Sequence, residues 1–459
     1  MTLIKDTYIN ALLADASYGE DFIPGMTGIA LADALTNRMT PNIAQYIANN
    51  FTVLHQEDNN NSLLLESSFD ATVWEGRAGT DYEGQVYVSM RGSQETLDFV
   101  EDIDLASSGL AHEQLVEMVN WWLRETTPVN QMAKQIGLQN IDIPFSTIDI
   151  ENFVAIDPIQ GTGLLANVTT ITSVNGHSLG GYMATAFTRI FGGAWNIAST
   201  NTFNSAGYNR LSTANIDNGF QQIAEAIGTD VGLASFEESL QNNYYAENGI
   251  NVTTNTWDPV GFQQYGERIA LYQESLVSPS SLNLDNHFMY KLTDLLAMGH
   301  AIEKLDPDFT LENLSVLASL GSHKTEASYE NILDGFRQLF LGDSISPTQI
   351  GDVAEGDSRL NYHEHLAQWQ ASESAFMAFI GKLDIRLTTD QDMLSLAESG
   401  DQAALYTLVH ALPFVVRGVD QTTTDALYLA VSEDVDISNF TDDYLHCLLY
   451  TSPSPRDRG

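Results

Sequence analysis

The sequence predicts an α/β fold: a mostly parallel central sheet flanked by helices, followed by a helical C-terminal module. Three observations predict it. First, Val168-Thr169-Thr170-Ile171-Thr172-Ser173-Val174 is β-branched and has the composition of a buried strand. Second, that run leads through Gly176-His177-Ser178-Leu179-Gly180-Gly181 into a helical stretch at 182–191, which Gly192-Gly193 is expected to stop. Third, 43% of the residues are hydrophobic although 19 Lys+Arg face 61 Asp+Glu, a net charge of −42. That composition belongs to a folded acidic chain and not to a disordered tail.

The hexapeptide between strand and helix contains G-x-S-x-G. In a chain with 33 Gly the pentapeptide alone carries little information. With a strand before it and a helix after it, it has the setting of a nucleophile elbow, a sharp turn that lifts a serine above a sheet. The flanking Gly176 and Gly180 have a physical task there, because the turn is strained and a Cβ would crowd it. Ser178 is therefore the expected nucleophile, on a solvent-facing turn.

A serine nucleophile of this kind needs an acid and then a histidine further along the chain. Asn255-Thr256-Trp257-Asp258-Pro259-Val260 follows a β-rich run at 250–254 and places a carboxylate where a loop leaves a strand. Asp285-Asn286-His287 precedes a helical run at 290–298. His287 would take the Ser178 proton, and Asp258 would hold its imidazole in the required tautomer. Asp217, Asp230 and Asp285 are rival acids; His300 and His323 are rival bases within or after helical sequence. The oxyanion needs two backbone N–H donors. Leu179 supplies one. The other should come from a loop after an earlier strand, and the alternating run at 85–90 leads into Arg91-Gly92-Ser93-Gln94.

Over about residues 7–300 this set resembles the class 3 lipases, the fungal-lipase-like branch of the α/β-hydrolases. The likeness rests on the hairpin Ala71-Thr72-Val73-Trp74 with Val86-Tyr87-Val88, the Arg-Gly-Ser turn, the His-Ser-Leu-Gly-Gly elbow, the Asp-Pro-Val loop and the late histidine. Ala11-Leu12-Leu13-Ala14-Asp15-Ala16-Ser17-Tyr18 is similar to the family's first helix. The resemblance implies that Ser93 and Leu179 form the oxyanion hole. It also implies that Asp98-Phe99-Val100-Glu101-Asp102 is a helix with a buried acid, Asp102 being structural and steadying the Ser93 loop. Gly176, His177, Gly180 and Gly181 would be elbow residues. The implied activity is a serine carboxylic ester hydrolase acting on lipid esters at a lipid–water interface. A phospholipase A1 or a polyester or short-chain esterase would use the same triad, since acyl specificity lives in pocket shape. A non-catalytic hydrolase-like shell of an adhesin would need a broken triad. Two stretches depart from the family: 126–167, with apolar runs at 141–145 and 153–159, and 209–248, read as mostly amphipathic helix. Either could cover the pocket.

The charge argues against nucleic acid and anionic membranes as partners. One Cys excludes an intrachain disulfide framework, and no apolar run approaches the ~18 residues of a membrane span. Residues 1–6 show no basic-then-apolar leader. An acidic, cysteine-poor, leaderless chain fits the N-terminal part of a large secreted exoprotein of the calcium-repeat type, expected as a monomer. A cytoplasmic protein of a salt-adapted microbe is the alternative. The stretch itself is assigned no cofactor and no metal, with calcium expected only in repeats beyond it. Cys447-Leu448-Leu449-Tyr450-Thr451-Ser452-Pro453-Ser454-Pro455-Arg456-Asp457 looks like translated sequencing adapter, so the parent gene is expected to continue.

The expected organisation is a catalytic domain at 1–305, a helical accessory module at 306–446 and a non-native tail at 447–459. The module's expected helices lie at 328–341, 360–383 and 402–412, with another that Thr310 caps; 288–305 forms the last helix of the catalytic domain. His363-Glu364-His365 is not read as a metal site, since H-x-H on a helix points the two rings apart.

Overall fold

The computed structural model describes residues 3–58, 69–92, 110–141, 150–209, 213–228, 238–248, 262–274, 286–321, 328–342, 344–349 and 357–428. Of the residues singled out above, Ser93, Asp98, Asp102, Asp230, Asp258, Asp285 and His323 lie outside the described residues, as does the 447–459 tail.

In chain order the elements are α1 (Ile4–Ala16), α2 (Gly28–Leu35), α3 (Pro41–Asn50), β1 (Phe51–Glu57), β2 (Ala71–Gly76), β3 (Val86–Met90), α4 (His112–Thr126), β4 (Met132–Ile141), β5 (Ile150–Gln160), β6 (Ser173–His177), α5 (Leu179–Trp195), β7 (Thr200–Phe203), β8 (Tyr208–Asn209), α6 (Thr213–Ile227), β9 (Gln241–Ala246), β10 (Phe262–Gln263) and β11 (Glu267–Leu271). There follow α7 (Met289–Leu305), α8 (Leu311–Leu320), α9 (Ser328–Leu341), α10 (Asp357–Ala371), β12 (Leu383–Leu387), α11 (Met393–Glu398), α12 (Gln402–Val409), β13 (Phe414–Gly418) and α13 (Gln421–Tyr428).

Seven strands form the central sheet in the order β1-β2-β3-β6-β7-β9-β11. The first three pair antiparallel and the remaining pairings are parallel, so the molecule is a mixed α/β fold with a mostly parallel sheet. Alternation divides the core into two layers. Trp74 and Tyr87 face one side with α1, α3 and α7, while Val73, Val88 and Met90 face the other with α4, α5 and α6. Each fully buried large apolar side chain contributes about 1.5–3 kcal/mol relative to exposure.

The first layer runs on past residue 305. Leu314, Phe336, Trp369, Ile385 and Phe414 belong to the same apolar cluster as Leu12 and Leu295. Phe336 stacks on Phe414 with centroids 4.0 Å apart and on Trp369 at 5.3 Å. A buried ion network reinforces this contact. Asp294 of α7 accepts from Arg359 of α10 (Nε 3.0 Å, Nη2 3.0 Å) and pairs with His363 Nε2 at 2.8 Å. Burial alone would raise the Asp294 carboxyl; Arg359 and His363 outweigh it and hold the carboxyl below its usual 3.8. The stabilisation is therefore present above pH 3.8 and lost as pH falls through the folded value. Asp294→Asn strands a buried guanidinium and is expected to cost about 3–5 kcal/mol, read as a lower urea midpoint at unchanged slope. A loss under about 1 kcal/mol, within the range of exposed ion pairs, would show that the network carries no stability.

Several elements differ from the sequence expectation. The strand before the elbow is five residues, and of the preceding β-branched run only Ile171 makes a bridge, to Ile197. Helix α5 runs through Gly192-Gly193 to Trp195, because Gly weakens a helix without breaking it and the turns before the pair are buried. The 126–167 insertion contains the hairpin β4–β5. The 209–248 stretch is only partly helical, since it also supplies β9, an inner strand of the main sheet. Helix α10 ends at Ala371, and Leu383 opens β12, paired antiparallel with β13.

Candidate active site

The elbow forms where β6 passes into α5. Ser178 has φ +57° and ψ −126°, a left-handed backbone that a non-glycine residue adopts only at a cost of order 1–3 kcal/mol. Neighbouring chain holds it there. The Ser178 N–H donates to Phe203 O (3.1 Å), and the Ser178 carbonyl accepts from Gly181 N–H (3.0 Å) and Ala206 N–H (3.1 Å). A Cβ on Gly180 would collide with the Met90 carbonyl and with the backbone of Arg91, so the glycine lets the end of β3 lie directly against the helix start. Gly92 is as tight: a Cβ there would meet His177 O at 2.8 Å and Ser178 Cβ at 2.9 Å. The chain that continues to Ser93 thus passes alongside the nucleophile.

Ser178 is not solvent-facing, contrary to the sequence expectation. It is 2% exposed, and its Oγ is buried with no hydrogen-bond partner among the described residues. Gly92, just past β3, and Phe203, at the end of β7, lie directly against Ser178. Leu179 is the first residue of α5, where the helix's leading N–H groups have no intrahelical acceptors and the dipole favours negative charge.

His287 lies in the turn just ahead of α7 and is buried at 3% exposure. Its ring centroid stands 4.8 Å from that of His177, the residue before the nucleophile. Three hydrogen bonds tie this turn to the elbow and to the end of β7. His177 Nε2 bonds to the His287 carbonyl at 2.8 Å. Asn204, at φ +42° just after β7, donates from Nδ2 to the same carbonyl and to Asn286 O, both at 3.0 Å. On the far side of the elbow, Tyr18 Oη lies 2.7 Å from His177 Nδ1 and accepts from Gly92 N–H at 3.1 Å.

These partners fix the His177 tautomer. The His287 carbonyl can only accept, so the proton of the neutral His177 ring sits on Nε2, and Nδ1 is left to accept the Tyr18 hydrogen. Burial, then the nearby His287, push His177 well below the usual 6.5, so the ring is neutral. The sign follows: the unfolded chain takes up a proton below about 6.5 that the native ring refuses, so this site loses stability as pH falls through that region. Denaturation at pH 7.5 and 5.5 should show a steeper loss for the wild type than for His177→Gln. Equal slopes would show that the native ring accepts the proton.

Arg91 anchors the end of β3. Its buried guanidinium pairs with Asp70 at 2.7 Å, and its N–H donates to Asp70 O at 3.1 Å. The rivals named above have other partners. Asp217 pairs with Arg189 at 2.6 Å, and His300 faces Glu303 at 3.6 Å within α7. His363 turns to Asp294 and His365 to Thr348, so the two rings do diverge. Elsewhere, His55, Glu57 and Glu125 bring ligand atoms within 4.8 Å of one another. Arg124 bonds both carboxylates there, at 2.9 Å and 2.6 Å, so an internal cation already occupies that charge.

The structure thus brings Ser178, Leu179, His177, Gly176, Gly180 and Gly181 together with the His287 turn, and adds Tyr18, which the sequence placed only in the first-helix segment, and Asn204, which no motif marks. Comparison with known proteins adds nothing to this geometry: no family model, no curated protein and no solved structure matches the chain.

Proposed function

We propose that the protein is a serine carboxylic ester hydrolase acting on lipid esters through an acyl-enzyme. One observation carries the reading: a strained, buried serine at a strand-to-helix turn, its Oγ unpartnered among the described residues, with a histidine-bearing turn hydrogen-bonded to the same elbow. Neither backbone strain nor an orphan hydroxyl is retained for stability; both serve a nucleophile held ready for a substrate.

In this reading His287 removes the Ser178 proton as Oγ attacks the ester carbonyl. The Leu179 N–H, at the positive end of α5, and the Ser93 N–H receive the oxyanion. The tetrahedral adduct collapses, the C–O bond to the alcohol breaks, and His287 returns the proton to the leaving alkoxide. Water then attacks the acyl-enzyme by the same route in reverse order, releasing the acid and restoring Ser178. Asp258 is the proposed orienting acid for His287.

The test is direct. A fluorophosphonate probe should label Ser178 of the full chain, and p-nitrophenyl esters of short and long chains should be hydrolysed. Comparison of triolein with phosphatidylcholine then separates a lipase from a phospholipase. A folded chain that neither labels nor turns over any ester overturns the proposal.

A further inference from the structure

We infer that Tyr18, His177 and Asn204 are positioning residues that hold the His287 imidazole in register with Ser178. The inference rests on the ester-hydrolase reading above. It is carried by one hydrogen-bonded chain of single polarity. Gly92 N–H donates to Tyr18 Oη, Tyr18 O–H to His177 Nδ1, and His177 Nε2–H to the His287 carbonyl. Asn204 closes it from the other side. Its Nδ2 donates to the His287 and Asn286 carbonyls, and its Oδ1 accepts from Ala246 N–H at 2.9 Å.

The chain joins four segments that a hydrolase must keep in fixed geometry: the end of β3 before Ser93, the elbow, the His287 turn, and the end of β9. Tyr18 comes from the turn after α1, far from all four in sequence. His177 is 3% and Asn204 0% exposed, and Tyr18 is half-buried. Water therefore offers His177 and Asn204 no ready replacement when a link is removed, and a buried group left unpaired must move to find a partner. The base must stay within ~2.6–3.2 Å of the hydroxyl it serves, and a displacement of about 1 Å can cost 10²-fold in rate.

Polarity gives the arrangement a second effect. With Nδ1 receiving the tyrosine hydrogen, His177 carries one proton and no charge. A cation there, with ring centroids 4.8 Å apart, would oppose the imidazolium that His287 becomes when it takes the serine proton. Tyr18 thus holds in place a ring that burial and the nearby His287 keep neutral.

The test measures kcat and KM on p-nitrophenyl butyrate, with fluorophosphonate labelling rates, for the full chain. Tyr18→Phe, which keeps the ring and deletes one oxygen, should lower kcat and labelling 10- to 100-fold with KM within about 3-fold. Because the links act in series, Tyr18→Phe combined with His177→Ala should be no slower than His177→Ala alone within about 2-fold. His177→Gln, which presents a donor near the Nε2 position, should recover at least 10-fold over His177→Ala. Asn204→Gly keeps the left-handed backbone and drops both donors; Asn204→Asp is the near-isosteric second variant, and at least one should match the Tyr18→Phe loss. An active wild type with Tyr18→Phe at wild-type kcat, or with additive losses in the double variant, overturns the positioning role alone. A wild type that is inactive and unlabelled overturns the hydrolase reading, and the positioning role with it.

Discussion

Ser178→Ala is expected to lower kcat for ester hydrolysis by a factor on the order of 10⁴–10⁶ and to leave the protein at least as stable as the wild type. The first half follows from the role: without Oγ there is no acyl-enzyme, and the remaining groups have nothing to act on together. The second half follows from the structure. The Oγ is buried and makes no hydrogen bond with the described residues, so it forfeits hydration in the folded state and regains nothing from them. Alanine removes that loss, keeps the Cβ that packs near Gly92, and places the same strain on the backbone. The thermal midpoint should stay level or rise. A variant that keeps a tenth of the activity would move the nucleophile elsewhere. A variant that unfolds would make Ser178 a structural hydroxyl with an undetected partner.

The sequence made the elbow legible because its signal is local. Gly176 and Gly180 are needed within a few residues of Ser178, and the strand-to-helix switch lies in the same stretch. The late position of His287 was legible for a similar reason, as a histidine at a helix start. The β2–β3 hairpin and α7 to α9 follow simple periodicities and were read correctly in kind. What escaped was non-local. Strand β9, Gln241–Ala246, carries three amides and lies in a stretch read as mostly amphipathic helix. It holds its place through side-chain ladders: Asn243 Oδ1 accepts from Thr202 Oγ1 at 2.7 Å and from Gln241 Nε2 at 2.9 Å, and Asn242 donates to Asn201. No propensity scale reports a strand stabilised by partners on neighbouring strands.

The depth of the elbow was illegible for the same reason. Nothing in Gly-His-Ser-Leu-Gly says that Tyr18, about 160 positions earlier, will reach His177. Asn204 follows a four-residue strand and carries no motif; only its left-handed backbone, which asparagine tolerates well, hints at a special place. Strands β12 and β13 were lost inside and beyond helical readings because each is five residues long and pairs only with the other.

His287→Ala is the second large effect expected, a loss in kcat of the same order as Ser178→Ala. Proton transfer and nucleophilic attack are one event, so removing either member removes the gain from both. The double variant should be no slower than either single one, as for residues that act as a unit. Labelling by the fluorophosphonate should fall with turnover, because the probe needs the same activated hydroxyl. The two neighbouring histidines should separate sharply in this assay. His177→Ala leaves the base present but unsupported and should retain far more activity than His287→Ala, although the rings stand only 4.8 Å apart. The fold should survive the His287 change, because its hydrogen bonds to His177 and Asn204 run through the backbone carbonyl, which alanine keeps. If His287→Ala retained more than a tenth of wild-type kcat while His177→Ala lost nearly all of it, the base would be His177, and the polarity assigned to the Tyr18 chain would have to be reversed.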